Sequence, residues 1–111
     1  MITVLTAFTL PKPISRDEAC AIFLSTAPKY RGVPGLFRKT YVLYPDGMTV
    51  GGVYLCNSRA EAEAMYTEEW RAFVRAKYAT EPVVTYLDSP VVVDNVSRQT
   101  LVDGQAILPA A

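Results

Sequence analysis

The stretch LFRKTYVLYPDGMTVGGVYLCN, residues 36–57, constrains the fold more than any other part of the sequence. Two segments rich in β-branched and aromatic residues flank Asp46 and Gly47, a dipeptide that favours a two-residue hairpin turn. Since such a turn joins neighbouring antiparallel strands, the sequence predicts a β-hairpin at the centre of the chain.

The hairpin turn fixes which residues of the two strands face each other. Tyr41 is expected opposite Gly52, and Lys39 is expected opposite Tyr54. One face of the hairpin then carries Phe37, Lys39, Tyr41, Leu43, Val50, Tyr54 and Cys56. The other face is also largely apolar, so each face of the sheet needs a covering layer.

Capping signals place helices on either side of the hairpin in the sequence. SRDE at 15–18 and SRAE at 58–61 are capping boxes, in which a serine and a glutamate satisfy free backbone amides. The second helical region extends to about Tyr78, and Thr67 is placed to cap a second segment within it.

Strands at the two ends complete the pattern. Residues 2–10 predict the first strand, and residues 82–95 predict the last, in which Pro90 marks an edge or a bulge. The order βαββαβ is that of an α+β, ferredoxin-like protomer with its helices on one face of an antiparallel sheet. We expect residues 1–95 to form this domain and residues 96–111 to form an extended C-terminal arm.

Composition narrows the classes of partner. Hydrophobic residues make up 50% of the 111 residues, which is rich for so small a domain and predicts cover by a second subunit. Lys plus Arg and Asp plus Glu number 11 each, so no basic field favours nucleic acid or an anionic membrane. No segment predicts a membrane span, and the apolar residues 1–12 predict a strand and not a signal peptide. The sequence therefore predicts a cytoplasmic homodimer.

The absence of histidine excludes several kinds of active site. With no histidine in the chain, Ser-His and Cys-His nucleophile pairs, histidine bases and histidine-ligated metals are ruled out. Cys20 and Cys56 are too few for a structural zinc site, and their apolar neighbours predict buried free thiols. No glycine-rich phosphate loop is present, so we predict neither a metal nor a nucleotide cofactor.

An aromatic helix offers a candidate ligand site. The stretch AMYTEEWRAFVRAKY, residues 64–78, places Tyr66, Trp70, Phe73 and Val74 on one face, with Tyr78 directed elsewhere. The helical periodicity alone is also compatible with side chains that simply pack in the hydrophobic core. Tyrosine and tryptophan keep a polar atom that needs a partner when buried, which favours a cavity for a flat aromatic ligand. We expect Tyr66 and Trp70 to line that cavity and the other two residues of the face to belong to the core.

The sheet beneath this helix supplies candidate catalytic groups. Tyr41 and Tyr54 are expected to offer phenol hydrogen bonds, and Lys39, beside Tyr54, to stabilise an anionic oxygen or enolate. The alternative for Lys39 is an edge position from which its amine reaches solvent. Asp88 has two interpretations, a base if it is buried or a residue that caps a turn.

Three stretches of the sequence resemble one family. APKYRGVPGLFRKTYVL, GGVYLCNSRAEAEAMYTEEWRAFVRAKY and PVVTYLDSPVVVDN occur in order and together are similar to the YdhR-like mono-oxygenases over residues 1–95. Cys56 departs from that family, which commonly has tryptophan at this position. The resemblance implies a dimeric α+β barrel, in which two ferredoxin-like protomers pack with their sheets face to face.

The resemblance also implies a type of chemistry. Its superfamily includes cofactor-independent oxygenases, in which a carbanion or phenolate of an aromatic substrate itself reduces dioxygen in a dry pocket. We therefore expect a monooxygenase acting on a small aromatic or quinol-like compound. Lys39 and Tyr54 are its candidate catalytic residues, and Tyr41, Tyr66 and Trp70 its candidate substrate-binding residues. The alternatives are a cyclase or isomerase on the same fold and a non-catalytic dimer that binds a small molecule.

Overall fold

A four-stranded antiparallel sheet forms the centre of the protein, in a computed structural model that describes residues 1–107. The elements in chain order are β1 (Ile2–Thr9), α1 (Arg16–Thr26), a 3₁₀ helix (Ala27–Tyr30), β2 (Leu36–Leu43), β3 (Thr49–Cys56), α2 (Arg59–Met65), α3 (Glu68–Tyr78), β4 (Val83–Asp88), β5 (Val91–Asp94), β6 (Gln99–Val102) and β7 (Gln105–Ile107). The strand order of the central sheet is β2-β3-β1-β4. This is the order of a ferredoxin-like protomer, and the predicted α+β fold class is confirmed.

The predicted register of the central hairpin is also confirmed. Tyr41 lies opposite Gly52, and Lys39 lies opposite Tyr54. The Asp46 carboxylate in the turn accepts hydrogen bonds from two backbone amides that follow it, each at 2.8 Å. These bonds hold the chain reversal, and the reversal places the lysine beside the tyrosine.

A β-bulge at the start of β2 interrupts the regular pairing of that strand with β3. The pairing with β3 shifts by one residue between Leu36 and Arg38, which leaves Phe37 outside the ladder. Phe37 is 53% exposed and lies outside the buried cluster, but it lines one groove together with Lys39, so its place on the face of Lys39 stays a prediction. Leu36 packs against the buried cluster in its place.

Polar side chains cap the α-helices. Ser15 accepts a hydrogen bond from the amide of Glu18, and the Glu18 carboxylate accepts one from the amide of Ser15, which is the predicted capping box. Ser58 caps α2 and Thr67 caps α3, so the predicted division of the second helical region is confirmed. None of the helices in residues 1–107 is long and apolar enough to cross a membrane.

The core lies between the helices and one face of the sheet. It is formed by Val4, Tyr54, Cys56, Ala62 and Tyr66. The thiol of Cys56 is buried as predicted, but Cys20 is exposed, so the prediction that both thiols are buried is wrong. The buried residues of α1 are Ala19 and Thr26, and the helical twist turns Cys20 away from their face.

The opposite face of the sheet is apolar and partly exposed. Leu5, Val53 and Leu87, on three neighbouring strands, are 37%, 36% and 44% exposed. Register places all of them on the face that does not carry the core residue Val4. A surface of this kind is one that a second subunit would cover, and the homodimer stays a prediction.

The segment predicted as the last strand forms two strands in separate sheets. β4 ends at Asp88, and β5 begins after Pro90, whose missing N–H favours an end to the ladder. β5, β6 and β7 form a small antiparallel sheet of their own. The boundary predicted between domain and arm lies in the turn between β5 and β6, and residues 108–111 of the arm lie outside the described residues.

Candidate functional site

A cavity of about 190 Å³ lies between the helices and the inner face of the sheet. It is lined by Phe8, Phe23, Thr26, Lys29, Tyr30, Lys39, Tyr41, Gly51, Tyr54, Trp70, Phe73, Val74 and Tyr78. Most of these residues are aromatic, and the charged ones are lysines, a composition typical of a small-molecule site. Since an apolar cavity of about 150 Å³ can hold benzene, this cavity has room for one aromatic ring with a small substituent.

The amine of Lys39 is surrounded by tyrosine rings. Its Nζ atom lies 3.4 Å from the ring centroid of Tyr30, 3.8 Å from that of Tyr41 and 4.7 Å from that of Tyr54. The ion pairs within residues 1–107 are formed by arginines, so no carboxylate neutralises this amine there. The ring faces are thus its nearest source of negative potential.

Burial lowers the pKa of the Lys39 amine from its ordinary value to about 7. The cause is the loss of hydration around the charged form, which no acidic group offsets. The tyrosine faces act in the opposite direction, because they attract the charged form. Near neutral pH the amine therefore exists in both protonation states and can accept or return a proton.

Tyr41, Tyr54 and Tyr78 have raised pKa values and stay protonated at neutral pH. Burial, reinforced by the neighbouring Tyr30, raises the pKa of Tyr54 well above its ordinary range. Burial also raises the pKa of Tyr41, whose hydroxyl lies 2.7 Å from that of Thr26. Burial raises the pKa of Tyr78 to about 12. Protonated phenols are the form that can donate a hydrogen bond to an anionic oxygen.

The structure brings four of the predicted site residues to the cavity. Lys39, Tyr41, Tyr54 and Trp70 all line it, whereas Tyr66 does not. Tyr66 is 6% exposed and packs in the core behind the wall, with ring centroids 5.3 Å from Tyr54 and 5.0 Å from Trp70. Tyr66 lies at the C-terminal end of α2, whereas Trp70 lies in α3. The prediction that they share a face assumed one continuous helix, and the helix is broken between them. The hydroxyl of Tyr66 is buried without a hydrogen-bond partner among residues 1–107.

Several residues that line the cavity were not among the predicted site residues. Tyr30 lines the cavity from the end of the 3₁₀ helix and was not a predicted substrate-binding residue. Tyr78 was expected to point elsewhere, but it lines the cavity and packs against Phe8, with ring centroids 4.8 Å apart. The signal that could have found Tyr78 is its spacing of four residues from Val74, which is itself four residues from Trp70.

Two further expectations differ from the observed positions. Phe73 was expected in the core, but its side chain is 38% exposed and lines the cavity. That expectation is wrong. Val74 is 2% exposed, as expected of a core residue, and it also lines the cavity. Asp88 is exposed at the end of β4 and does not line the cavity, so the burial required for a base is missing.

Consecutive glycines in β3 make room for this arrangement. A Cβ atom at Gly51 would lie 1.8 Å from the carbonyl oxygen of Thr6, so only glycine permits the approach of β1. A Cβ atom at Gly52 would lie 2.9 Å from the ring of Tyr54 and 3.3 Å from Cε of Lys39. The first glycine therefore fixes strand packing, and the second leaves the space that the lysine and the phenol occupy.

The arrangement is suited to proton transfer in an apolar setting. An unprotonated amine can remove a proton from a phenol or an acidic C–H group, and the ammonium formed then lies beside the new anion. Protonated phenols at Tyr41 and Tyr54 can donate hydrogen bonds to that anion, and aromatic walls keep water away from it.

Known proteins are similar to this chain in structure. The sequence matches no family model and no curated protein. A monooxygenase from the gene ActVA-Orf6 of Streptomyces coelicolor, in complex with nanaomycin D, is 16% identical with a TM-score of 0.60, over 79% of this chain and 86% of that chain. A variant of SnoaB, a cofactor-independent oxygenase from Streptomyces nogalater, is 16% identical with a TM-score of 0.57, over 79% of this chain and 91% of that chain.

A third similar structure is Rv0793 from Mycobacterium tuberculosis. It is 17% identical with a TM-score of 0.55, over 80% of this chain and 95% of that chain. At these identities the similarity shows the fold alone. The chain shares its fold with these proteins, and its activity has to be argued from its own residues.

Proposed function

We propose that this protein is a cofactor-independent monooxygenase that acts on a small aromatic or quinol-like compound. The observation that carries the proposal is the amine of Lys39, which lies in an aromatic cavity among protonated phenols with no carboxylate in the lining. Two fold neighbours support this class, since one is a monooxygenase holding nanaomycin D and the other a cofactor-independent oxygenase. The same proposal includes a relationship to the YdhR-like mono-oxygenases, a homodimeric assembly and a cytoplasmic location.

The first step is removal of a proton from the substrate. Lys39 in its unprotonated form accepts the proton from a phenol or from an acidic carbon next to an aromatic ring. Tyr41 and Tyr54 donate hydrogen bonds to the oxygen on which the negative charge collects. The ammonium of Lys39 then stabilises the anion at close range, in a cavity where water competes poorly.

The second step is the reaction of the anion with dioxygen. The anion transfers one electron to dioxygen, and the resulting superoxide and substrate radical combine to form a peroxide on the carbon. A carbonyl forms when that carbon loses its remaining hydrogen and the O–O bond breaks, and Lys39 returns a proton to the departing oxygen. One oxygen atom enters the substrate and the other leaves as water, so the substrate supplies all four electrons.

The same residues could also serve a reaction without oxygen. A cyclase or an isomerase needs a base and a hydrogen-bond donor beside it, and Lys39 and Tyr54 provide both. Such an enzyme would convert its substrate without a change in mass and without a need for dioxygen. A protein that only binds a small molecule would gain thermal stability from its ligand and show no turnover.

An oxygen electrode can separate these functions. Hydroquinones, naphthols and anthrones would be supplied to wild-type protein, to heat-denatured protein and to the variant Lys39→Met, with products measured by mass spectrometry. We expect oxygen uptake with at least one compound, a product that has gained one oxygen and lost two hydrogens, and heavy oxygen in that product when labelled dioxygen is used. Uptake no greater than that of the denatured control for every compound would rule out the oxygenase.

A further inference from the structure

One exposed aromatic ring of the cavity lining, that of Phe73, lies near the amines of two lysines. Phe73 lines the cavity and is 38% exposed. Lys29, which also lines the cavity, has its Nζ atom 3.9 Å from the centroid of that ring. Lys77 on α3 does not itself line the cavity, but its Nζ atom lies 5.6 Å from the centroids of two rings that do, Phe73 and Tyr78. We call Lys29, Phe73 and Lys77 the cavity mouth.

The positive charge of the cavity mouth is not neutralised within the described part of the chain. The ion pairs formed by residues 1–107 involve Arg38, Arg59 and Arg75, and neither lysine of the mouth takes part in one. Lys77 instead donates a hydrogen bond to the hydroxyl of Ser25, at 3.3 Å. No aspartate or glutamate lines the cavity. Cations without acidic partners at the rim of an apolar pocket attract and orient an anionic group on a ligand.

From this geometry we infer that the substrate is an aromatic acid: a single hydroxylated ring that carries a carboxylate, with the ring inside the cavity and the carboxylate bound by Lys29 and Lys77 at the mouth. This inference rests on the proposed function and names its substrate class. A volume of about 190 Å³ has room for one ring with a small substituent, the size of a monocyclic aromatic acid. The mouth has ammonium groups but no glycine-rich backbone cradle, so it suits a carboxylate better than a phosphate.

The orientation follows from the cost of dehydrating the acid. A carboxylate pushed inward to Lys39 would lose its hydration among aromatic rings, which is unfavourable for an ion. At the cavity mouth the carboxylate stays partly hydrated while it faces two cations. The hydroxyl at the other end of the ring then reaches Lys39, the residue that accepts its proton.

Binding measured in the absence of oxygen tests this inference separately from the reaction. The chain has one tryptophan, Trp70, and it lines the cavity, so its fluorescence reports on ligands there. The probes are dihydroxybenzoate, dihydroxybenzyl alcohol and dihydroxybenzylamine, which share a ring and differ in charge. We expect the benzoate to bind roughly five- to tenfold more tightly than the alcohol at low salt, and the amine to bind most weakly. This preference should shrink as salt is added.

Charge-reversal variants identify the residues responsible. Lys29→Glu with Lys77→Glu should remove or reverse the preference for the benzoate, and Lys29→Gln alone should reduce it. Arg98→Glu, in the turn between β5 and β6 and outside the cavity lining, is the matched control and should keep it. Circular dichroism and thermal melting establish that each variant is folded.

The outcomes distinguish this inference from the proposed function. Equal affinity for the three probes, no binding of any of them, or an unchanged preference in the folded charge-reversal variants would overturn the aromatic-acid assignment. None of these results depends on oxygen chemistry. Conversely, a clear preference for the acid without oxygen uptake would support the assignment of the mouth and count against the oxygenase.

Discussion

Lys39 and Tyr54 face each other across β2 and β3, and the Nζ atom of the lysine lies 4.7 Å from the centroid of the phenol ring. The turn at Asp46 and Gly47 sets this pairing through the register of the hairpin. A slip of one residue would move Lys39 to the opposite face of the sheet, away from the cavity. The group that accepts a proton and the group that donates a hydrogen bond to the resulting anion are therefore neighbours because of a local turn.

Removal of the Lys39 amine should abolish most of the activity. Lys39→Met keeps an unbranched side chain in the cavity but has no group that accepts a proton. We expect kcat for oxygen uptake to fall by roughly a hundredfold or more, as is usual when a general base is lost. Lys12→Met, an exposed position outside the cavity lining, is the control and should behave like wild type. A fully active Lys39→Met variant would exclude Lys39 as the base.

Loss of the Tyr54 hydroxyl should slow the reaction while the fold is kept. Tyr54→Phe retains the ring that packs in the core but removes the hydrogen-bond donor to the substrate anion. We expect kcat to fall on the order of a hundredfold with little change in KM. The reason is that the hydrogen bond from Tyr54 strengthens as negative charge develops on the substrate oxygen. Tyr44→Phe, at an exposed tyrosine outside the cavity, provides the comparison. Equal losses in the two variants would argue against a specific role for Tyr54.

Burial of Lys39 should also make stability depend on pH. The folded protein releases the proton of this amine at a pKa of about 7, whereas the unfolded chain keeps it up to the ordinary value of 10.5. Between these values the unfolded state binds more protons, so the free energy of unfolding should rise with pH, by at most about 1.4 kcal/mol per pH unit. Below that window both states are protonated, and the dependence should vanish.

Urea denaturation of wild type and Lys39→Met across this pH range isolates the effect, because the tyrosines titrate in both proteins. The stability difference between the two proteins should change with pH in favour of wild type as the pH increases. Parallel pH profiles would show that the Lys39 amine keeps its ordinary pKa in the folded state.

A methyl group at Gly52 should disturb the site more than the fold. In Gly52→Ala the new Cβ meets the ring of Tyr54 and the side chain of Lys39, and both of these can shift. We expect a loss of about 1–2 kcal/mol in the free energy of unfolding, with activity reduced by roughly tenfold or more through misplacement of the pair. Gly51→Ala should instead prevent folding, since its Cβ meets the backbone of Thr6. Wild-type activity in Gly52→Ala would mean that the close fit around the pair is unimportant.

The exposed face of the central sheet should be the dimer interface. Val53→Lys places a charge among the apolar residues of that face, and burying it against a partner would cost several kcal/mol. Light scattering should give the mass of a dimer for wild type and that of a monomer for Val53→Lys. Leu24→Lys is the control, because Leu24 is 66% exposed on α1, and it should leave the dimer intact. A monomeric wild type would rule out the homodimer, and a Val53→Lys variant that remains dimeric would place the interface elsewhere.

The parts of the fold that could be predicted are those set by short-range chemistry. The dipeptide at Asp46 fixes the hairpin, serine caps begin the first two α-helices, and Thr67 begins the third. Lys39, Tyr41 and Tyr54 reach the cavity as a direct result of that register. The resemblance to a known family added the expectation of an oxygenase but identified none of these side chains.

The remaining parts depended on packing that a sequence does not display. The bulge at Phe37 follows from how β2 fits its neighbour, and no residue type signals it. Tyr66 lies in the core and not at the cavity, because the break at Thr67 resets the phase of the helix before Trp70. Tyr78 shares its face of α3 with Trp70 and Val74 and therefore lines the cavity. Lys29 comes to the cavity on a short 3₁₀ helix that has no periodic pattern. Even so, the spacing of Trp70, Val74 and Tyr78 could have identified one of these errors.

The measurement that tests the central claim most directly is an NMR titration of the Lys39 amine in protein with isotopically labelled lysine. The spectrum of Lys39→Met identifies the signal of Lys39 by its absence. We expect this signal to titrate with a midpoint near pH 7, the value set by its burial among tyrosine rings. A midpoint near 10.5, the ordinary value, would show that the amine is protonated throughout the neutral range and cannot act as the base.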